Sequence, residues 1–159
     1  MSDDDIPELE VPFSSNFDVM LDKQKLPIGD PQKQFSEDHV EVALNNRQTA
    51  MKIYKDNPTE ALLLLSDCVE MYPNSALYLN SRAEVFKYHG DLKLAERDLN
   101  LAVQRNPGNV PFKTHKMLAE LMFDREDFEN CIAECKRALA VDNSDEVSNM
   151  LKNATQRQA

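Results

Sequence analysis

The chain has 159 residues, an apolar fraction of 42% and a net charge of −10. That length holds one domain and a tail, and a surface this acidic repels phosphate backbones and anionic lipid headgroups, which excludes nucleic acid and membranes as expected partners. Three cysteines (Cys68, Cys131, Cys135), an acidic start without an apolar signal core and no membrane-length apolar run argue for a reduced, cytoplasmic setting without a disulfide framework.

Residues 1–34 read as an acidic, proline-rich tail. They hold four of the 8 prolines, and eight acids against Lys23, Lys25 and Lys33 give them half of the net charge. Such a segment buries little apolar surface and is expected to be largely disordered. Phe13, Phe17, Met20 and Leu21 nevertheless fall at helical spacing, as a transient helix or one that docks. If nothing docks, removing 1–34 leaves melting nearly unchanged.

The domain is expected over 35–159. Its first helix starts at Ser36, with Phe35 and Val40 spaced as a hydrophobic staple. Val40, Ala43, Leu44, Arg47, Ala50, Met51 and Tyr54 then follow a period near 3.6. Asn57-Pro58 suits a cap and a first helical residue. Ala61, Leu62, Leu65, Cys68, Val69 and Tyr72 form the next stripe, and Pro73 stops it. In a second pair Leu79, Ala83, Phe86 and Tyr88 lie on the first helix, and Leu92, Ala95, Leu99 and Ala102 face inward on the second. Gly90 suits a left-handed helix end, and Asp91 can cap the helix after it. A third pair runs from Pro111 to Val141. A last helix starts at Ser144 with Asp145 and Glu146 in its favourable first turn.

Ala61, Leu65, Cys68 and Pro73 recur as Ala95, Leu99, Ala102 and Pro107, each 34 residues on, and as Cys131, Cys135, Ala138 and Asn143 a further 36 on. Small residues let paired helices approach, the large one fills the joint between pairs, and proline ends the hairpin. A period of 34 with this order is the signature of the tetratricopeptide repeat (TPR). The expected fold is therefore an all-α superhelix of three antiparallel helix pairs (36–73, 75–107 and 110–143), closed by a polar capping helix over 144–157.

Catalytic chemistry is not indicated. His39, His89 and His115 lie far apart without metal spacing. Cys131 and Cys135 are four apart on one helix, at core positions where cysteine packs as a small apolar residue. No phosphate loop, zinc-peptidase motif or nucleophile elbow occurs, so a non-catalytic protein without cofactor or metal is expected. Binding is expected on the concave face, which the first helix of each pair lines. The pattern places Arg47, Met51 and Lys55 there from repeat one, Asn80, Glu84, Lys87 and Tyr88 from repeat two, and Lys113, Lys116, Glu120 and Phe123 from repeat three. Arg47, Lys55, Lys87, Lys113 and Lys116 are expected to make that face locally basic.

These residues carry two resemblances. Some TPR co-chaperones grip the acidic tail of heat-shock chaperones in a two-carboxylate clamp. Lys113 matches one clamp site and Arg47 replaces another lysine, whereas Met51, Ser81 and Met117 stand where Asn, Asn and Arg would be, so the clamp is partial. The segments Ala43-Leu44-Asn45, Leu77-Tyr78, Arg82 to Phe86, Asn106-Pro107 and Asp142 to Lys152 resemble the TPR region of Hip-type co-chaperones over about Ser36–Gln158. That resemblance implies binding to the nucleotide-binding domain of the seventy-kilodalton heat-shock chaperone and slower ADP release. A generic TPR scaffold that holds a peptide or helix of another complex is the alternative.

Overall fold

The computed structural model describes residues 21–33 and 36–159. Phe13, Phe17, Met20 and Phe35, with the helix and staple expected of them, lie outside the described residues. Among the described residues seven α-helices follow in chain order: α1 Val40–Ile53, α2 Pro58–Met71, α3 Ala76–Tyr88, α4 Leu92–Arg105, α5 Phe112–Asp124, α6 Phe128–Val141 and α7 Asp145–Gln158. The described residues contain no strand. Short turns join α1 to α2, α3 to α4 and α5 to α6 as packed pairs. The first helices, α1, α3 and α5, also touch one another, and α7 covers α6 and α5. The fold is the all-α, TPR-like stack that the period implies.

Local chemistry explains most helix ends. Asn57 accepts the Glu60 amide and Pro58 opens α2. Asp127 accepts the Asn130 amide before α6, and Ser144 accepts the Val147 amide before α7. Ser36 caps a 3-10 turn over Glu37–His39, so α1 proper begins at Val40, later than expected. Gly90 sits at φ +83° between α3 and α4. Glu126 occupies the matching turn between α5 and α6 at φ 63°. The backbone closes alike in both places: Asp91 donates to Phe86 O and Asp127 to Met122 O, each at 2.8 Å. Asp91 makes no side-chain cap. Its carboxylate accepts from Lys23 Nζ at 2.8 Å instead.

The repeated positions are the core. Ala61, Leu65, Cys68, Ala95, Leu99, Ala102, Cys131, Cys135 and Ala138 are all 0% exposed. Leu65, Phe86, Leu99 and Leu118 carry one cluster across the three pairs. Four apolar positions of the expected pattern differ: Val40, Leu44, Tyr88 and Leu92 are exposed. Val40 and Leu44 lie at the first-repeat end of the stack, where no other helix pair among the described residues covers them. They line an apolar cavity of about 460 Å³ with Met71, Tyr72 and Tyr78.

The expected boundary at residue 34 also differs. Residues 21–33 form a strap across the joint between the first two repeats. Leu26 is 7% exposed and joins the core cluster. Arg82 of α3 is fully buried with Asp98 of α4: Nε and Nη2 reach Oδ2 and Oδ1 at 2.7 and 2.9 Å. Arg82 Nη1 also donates to Ser66 Oγ of α2 at 3.1 Å and to Pro27 O of the strap at 2.6 Å. Arg105 donates to Ile28 O, Gly29 O and Pro73 O, and Asn74 donates to Pro31 O. Gly29 stands at φ +76°, and a Cβ there would lie 2.5 Å from Pro73 Cβ, so glycine alone fits without movement. Composition pointed to disorder because it counts charges and prolines. The strap is held mostly by its main-chain carbonyls, which composition does not register.

Candidate protein-binding face

Helices α1, α3 and α5 stand side by side, so residues one repeat apart face each other across the seams. Arg47 Nε of α1 donates to Ser81 Oγ of α3 at 2.7 Å, and Thr114 Oγ1 of α5 donates to Asn80 Oδ1 of α3 at 2.9 Å. Both pairs are 34 apart in sequence. Ser81 in turn donates to Leu77 O one turn back, which fixes the hydroxyl that receives Arg47.

Two clefts open on this face and share Lys113. One, of about 200 Å³, is lined by Arg47, Leu77, Asn80, Ser81, Pro111 and Lys113. The other, of about 390 Å³, is lined by Glu84, Lys87, Phe112, Lys113, Lys116, Met117 and Glu120. Seven of the eleven expected face residues, Arg47, Asn80, Glu84, Lys87, Lys113, Lys116 and Glu120, come together there. Leu77, Ser81, Phe112, Met117 and Glu146 are additions. The two pairs at the repeat spacing show what signal could have found Ser81.

The expected basic face is a ladder of paired charges. Lys113 binds Glu84 at 2.9 Å, Lys87 binds Glu120 at 2.6 Å, and Lys116 binds Glu146 of α7 at 2.7 Å. The Glu146 hydrogen bond holds the Lys116 ammonium above its usual range. Each pair crosses to a neighbouring helix of this face: Glu84 of α3 reaches forward to Lys113 of α5, whereas Glu120 of α5 and Glu146 of α7 reach back to Lys87 of α3 and Lys116 of α5. Arg47 has no carboxylate within ion-pair distance among the described residues.

Four expected residues sit elsewhere. Lys55 and Tyr88 lie by the α1–α2 and α3–α4 turns, where Lys55 Nζ stands 5.8 and 5.5 Å from the Tyr54 and Tyr88 ring centres. Met51 is half-buried against the core cluster. Phe123 packs on Phe128 and beneath the Arg157 guanidinium, drawn into the joint with α7 rather than left facing outward.

Among the described residues no three His, Cys, Asp or Glu side chains gather as a metal site. Cys131 and Cys135 lie 4.0 Å apart, fully buried. Burial pushes the Cys135 thiol up to about 12 and raises Cys131 too, which disfavours thiolate chemistry. His115 Nδ1 meets Glu134 Oε2 at 2.7 Å inside the α5/α6 pair, away from the clefts. The face offers hydrogen-bond donors, acceptors and apolar floor, which is the equipment for binding a polypeptide.

Comparison with known proteins agrees with this architecture. No family model matches the chain. The chain is 29% identical over 152 residues to the TPR repeat-containing thioredoxin TDX of Arabidopsis thaliana, and spans 40% of that protein's length. Three solved structures share the fold. The first TPR of Spaghetti (RPAP3) bound to the HSP90 peptide SRMEEVD superposes with a TM-score of 0.66 at 22% identity, covering 74% of this chain and 94% of that one. The first TPR domain of human RPAP3 gives 0.63 at 23%, covering 72% and 90%. The Sgt2 TPR domain from Aspergillus fumigatus gives 0.62 at 20%, covering 81% and 84%. No described helix is long and apolar enough to cross a membrane.

Proposed function

We propose that the chain is a non-catalytic protein-binding module of a cytoplasmic co-chaperone, and that the α1/α3/α5 face docks a heat-shock chaperone. The observation that carries this reading is the continuous pair of clefts joined at Lys113, where polar groups of three repeats converge over Phe112 and Met117. Within it, the Hip-type resemblance points to the nucleotide-binding domain of the seventy-kilodalton chaperone, with the ADP state stabilised. The ladder of paired charges supports a folded, mixed-charge surface as partner over a bare acidic tail.

The test is calorimetric titration against the ADP-bound nucleotide-binding domain and, separately, against the chaperone's acidic C-terminal peptide. Saturable binding to the domain, weakened when Lys113 and Lys116 are both changed to Glu, is the expected result. Binding to the peptide alone would replace this reading with tail capture. Unchanged affinity in the double variant would reject the face.

A second reading, a TPR scaffold that holds a helix or peptide of another complex, draws on one observation. The chain matches less than half the length of a thioredoxin-named protein, so a TPR unit of this kind also serves inside a longer chain. Recovery of a defined complex without chaperone would favour it.

A further inference from the structure

We infer that Glu84 and Glu120 are built-in competitors for the lysines of this face, so that it admits a partner surface carrying both charge signs and turns away a purely acidic peptide. The inference rests on the α1/α3/α5 face being the docking surface.

The two ion pairs cross the α3/α5 seam in opposite directions. Glu84 of α3 holds Lys113 of α5 at 2.9 Å, while Glu120 of α5 holds Lys87 of α3 at 2.6 Å. All four residues line the same cleft of about 390 Å³. A ligand carboxylate that reaches Lys113 Nζ arrives beside the Glu84 carboxylate, and one that reaches Lys87 arrives beside Glu120. Like charges at such separations repel, and more strongly where the Lys87–Glu120 pair is about three-quarters removed from solvent. Displacing a glutamate without replacing its cation leaves an unpaired carboxylate at the rim of the cleft. A partner that brings a carboxylate to Lys113 and a lysine or arginine to Glu84 instead exchanges pairs one for one. Discrimination of this kind is a difference between affinities, produced by repelling the wrong ligand. Arg47, which has no carboxylate partner among the described residues, is left as the position where a partner's single acid meets no competitor from them.

The test uses the full chain and its E84Q/E120Q variant, in which glutamine keeps the shape and removes the charge. The probe is a synthetic pentapeptide of four glutamates and a C-terminal aspartate, titrated at low salt and followed by amide shifts in α3 and α5. The wild-type chain is expected to bind it weakly and the variant about tenfold more tightly or better, with the gain abolished by adding K113E. Circular dichroism checks the helical fold; if the double variant has lost it, E84Q and E120Q are read singly, each with part of the gain. Equal affinity of wild type and variant, including no binding to either, overturns the inference. The reading of the face fails by a different result: K113E/K116E that leaves chaperone-domain affinity unchanged.

Discussion

Arg82 and Asp98 hold each other through two hydrogen bonds, at 2.7 and 2.9 Å, with both side chains 0% exposed. The pair joins α3 to α4, and through Arg82 Nη1 it also holds Ser66 of α2 and Pro27 of the strap. Removing the carboxylate leaves a buried guanidinium with no counter-charge. Asp98→Asn or Asp98→Ala is therefore expected to cost about 3–5 kcal/mol, read from the urea midpoint at constant slope. The double variant R82M/D98L removes both charges and is expected to lose less than the two single losses added together.

The strap has its own signature. Leu26→Ala should cost about 2–5 kcal/mol, because its side chain sits in the core cluster rather than on a tail. Gly29→Ala places a methyl 2.5 Å from Pro73 Cβ at φ +76°, and should free the strap. Hydrogen exchange is expected to quicken around Pro73 and Asn74 in that variant. Removing residues 1–33 should lower the melting temperature clearly; an unchanged melt would mean that these contacts add no stability.

Glu126 is the one non-glycine residue with positive φ among those described, in a turn where the second repeat uses Gly90. A left-handed conformation costs a residue with a Cβ about 1–2 kcal/mol, partly offset because glycine loses more entropy on folding. Glu126→Gly is expected to raise stability by about 0.5–1 kcal/mol, seen as a higher melting temperature.

Burial pushes the Cys68 thiol up to about 11 and Cys135 up to about 12. Ionisation is thus easier in the unfolded chain. The stability these thiols protect is complete below their ordinary value of 9.0 and is lost as pH rises from there toward 11 and 12. Stability should fall by up to about 1.4 kcal/mol per pH unit for each thiol in that window. Cys68→Ala/Cys135→Ala should flatten the profile. At pH 7.5 a thiol reagent should modify the wild-type cysteines only as fast as the chain opens, since all three are buried.

Much of the fold was legible without coordinates. The spacing of Ala61, Leu65 and Cys68 against Ala95, Leu99 and Ala102 marks residues that end 0% exposed, because only small residues fit between paired helices and only a large one fills the joint. Asn57, Gly90 and Ser144 announce helix ends through rules that act within four residues. The face was partly legible. A first-helix position can be read from the period, which placed Arg47, Lys113 and Glu120, but what each side chain meets depends on the neighbouring repeat.

The sequence by itself determined the period, the helix pairs and the burial of the repeated positions, since these follow from contacts local in the chain or repeated at a constant interval. Tertiary structure alone decided the rest. It turned three of the five expected cations, Lys87, Lys113 and Lys116, into a ladder of paired charges, because each glutamate finds its lysine 29–33 residues away on another helix. It drew Phe123 beneath Arg157, a contact that exists only once α7 has closed the stack. It seated Leu26 in the core cluster and the carbonyls of Pro27, Ile28, Gly29 and Pro31 on Arg82, Arg105 and Asn74, up to 77 residues distant. Those arginines look like ordinary surface charges until the helices bring them together, and main-chain acceptors carry no mark in the residue code.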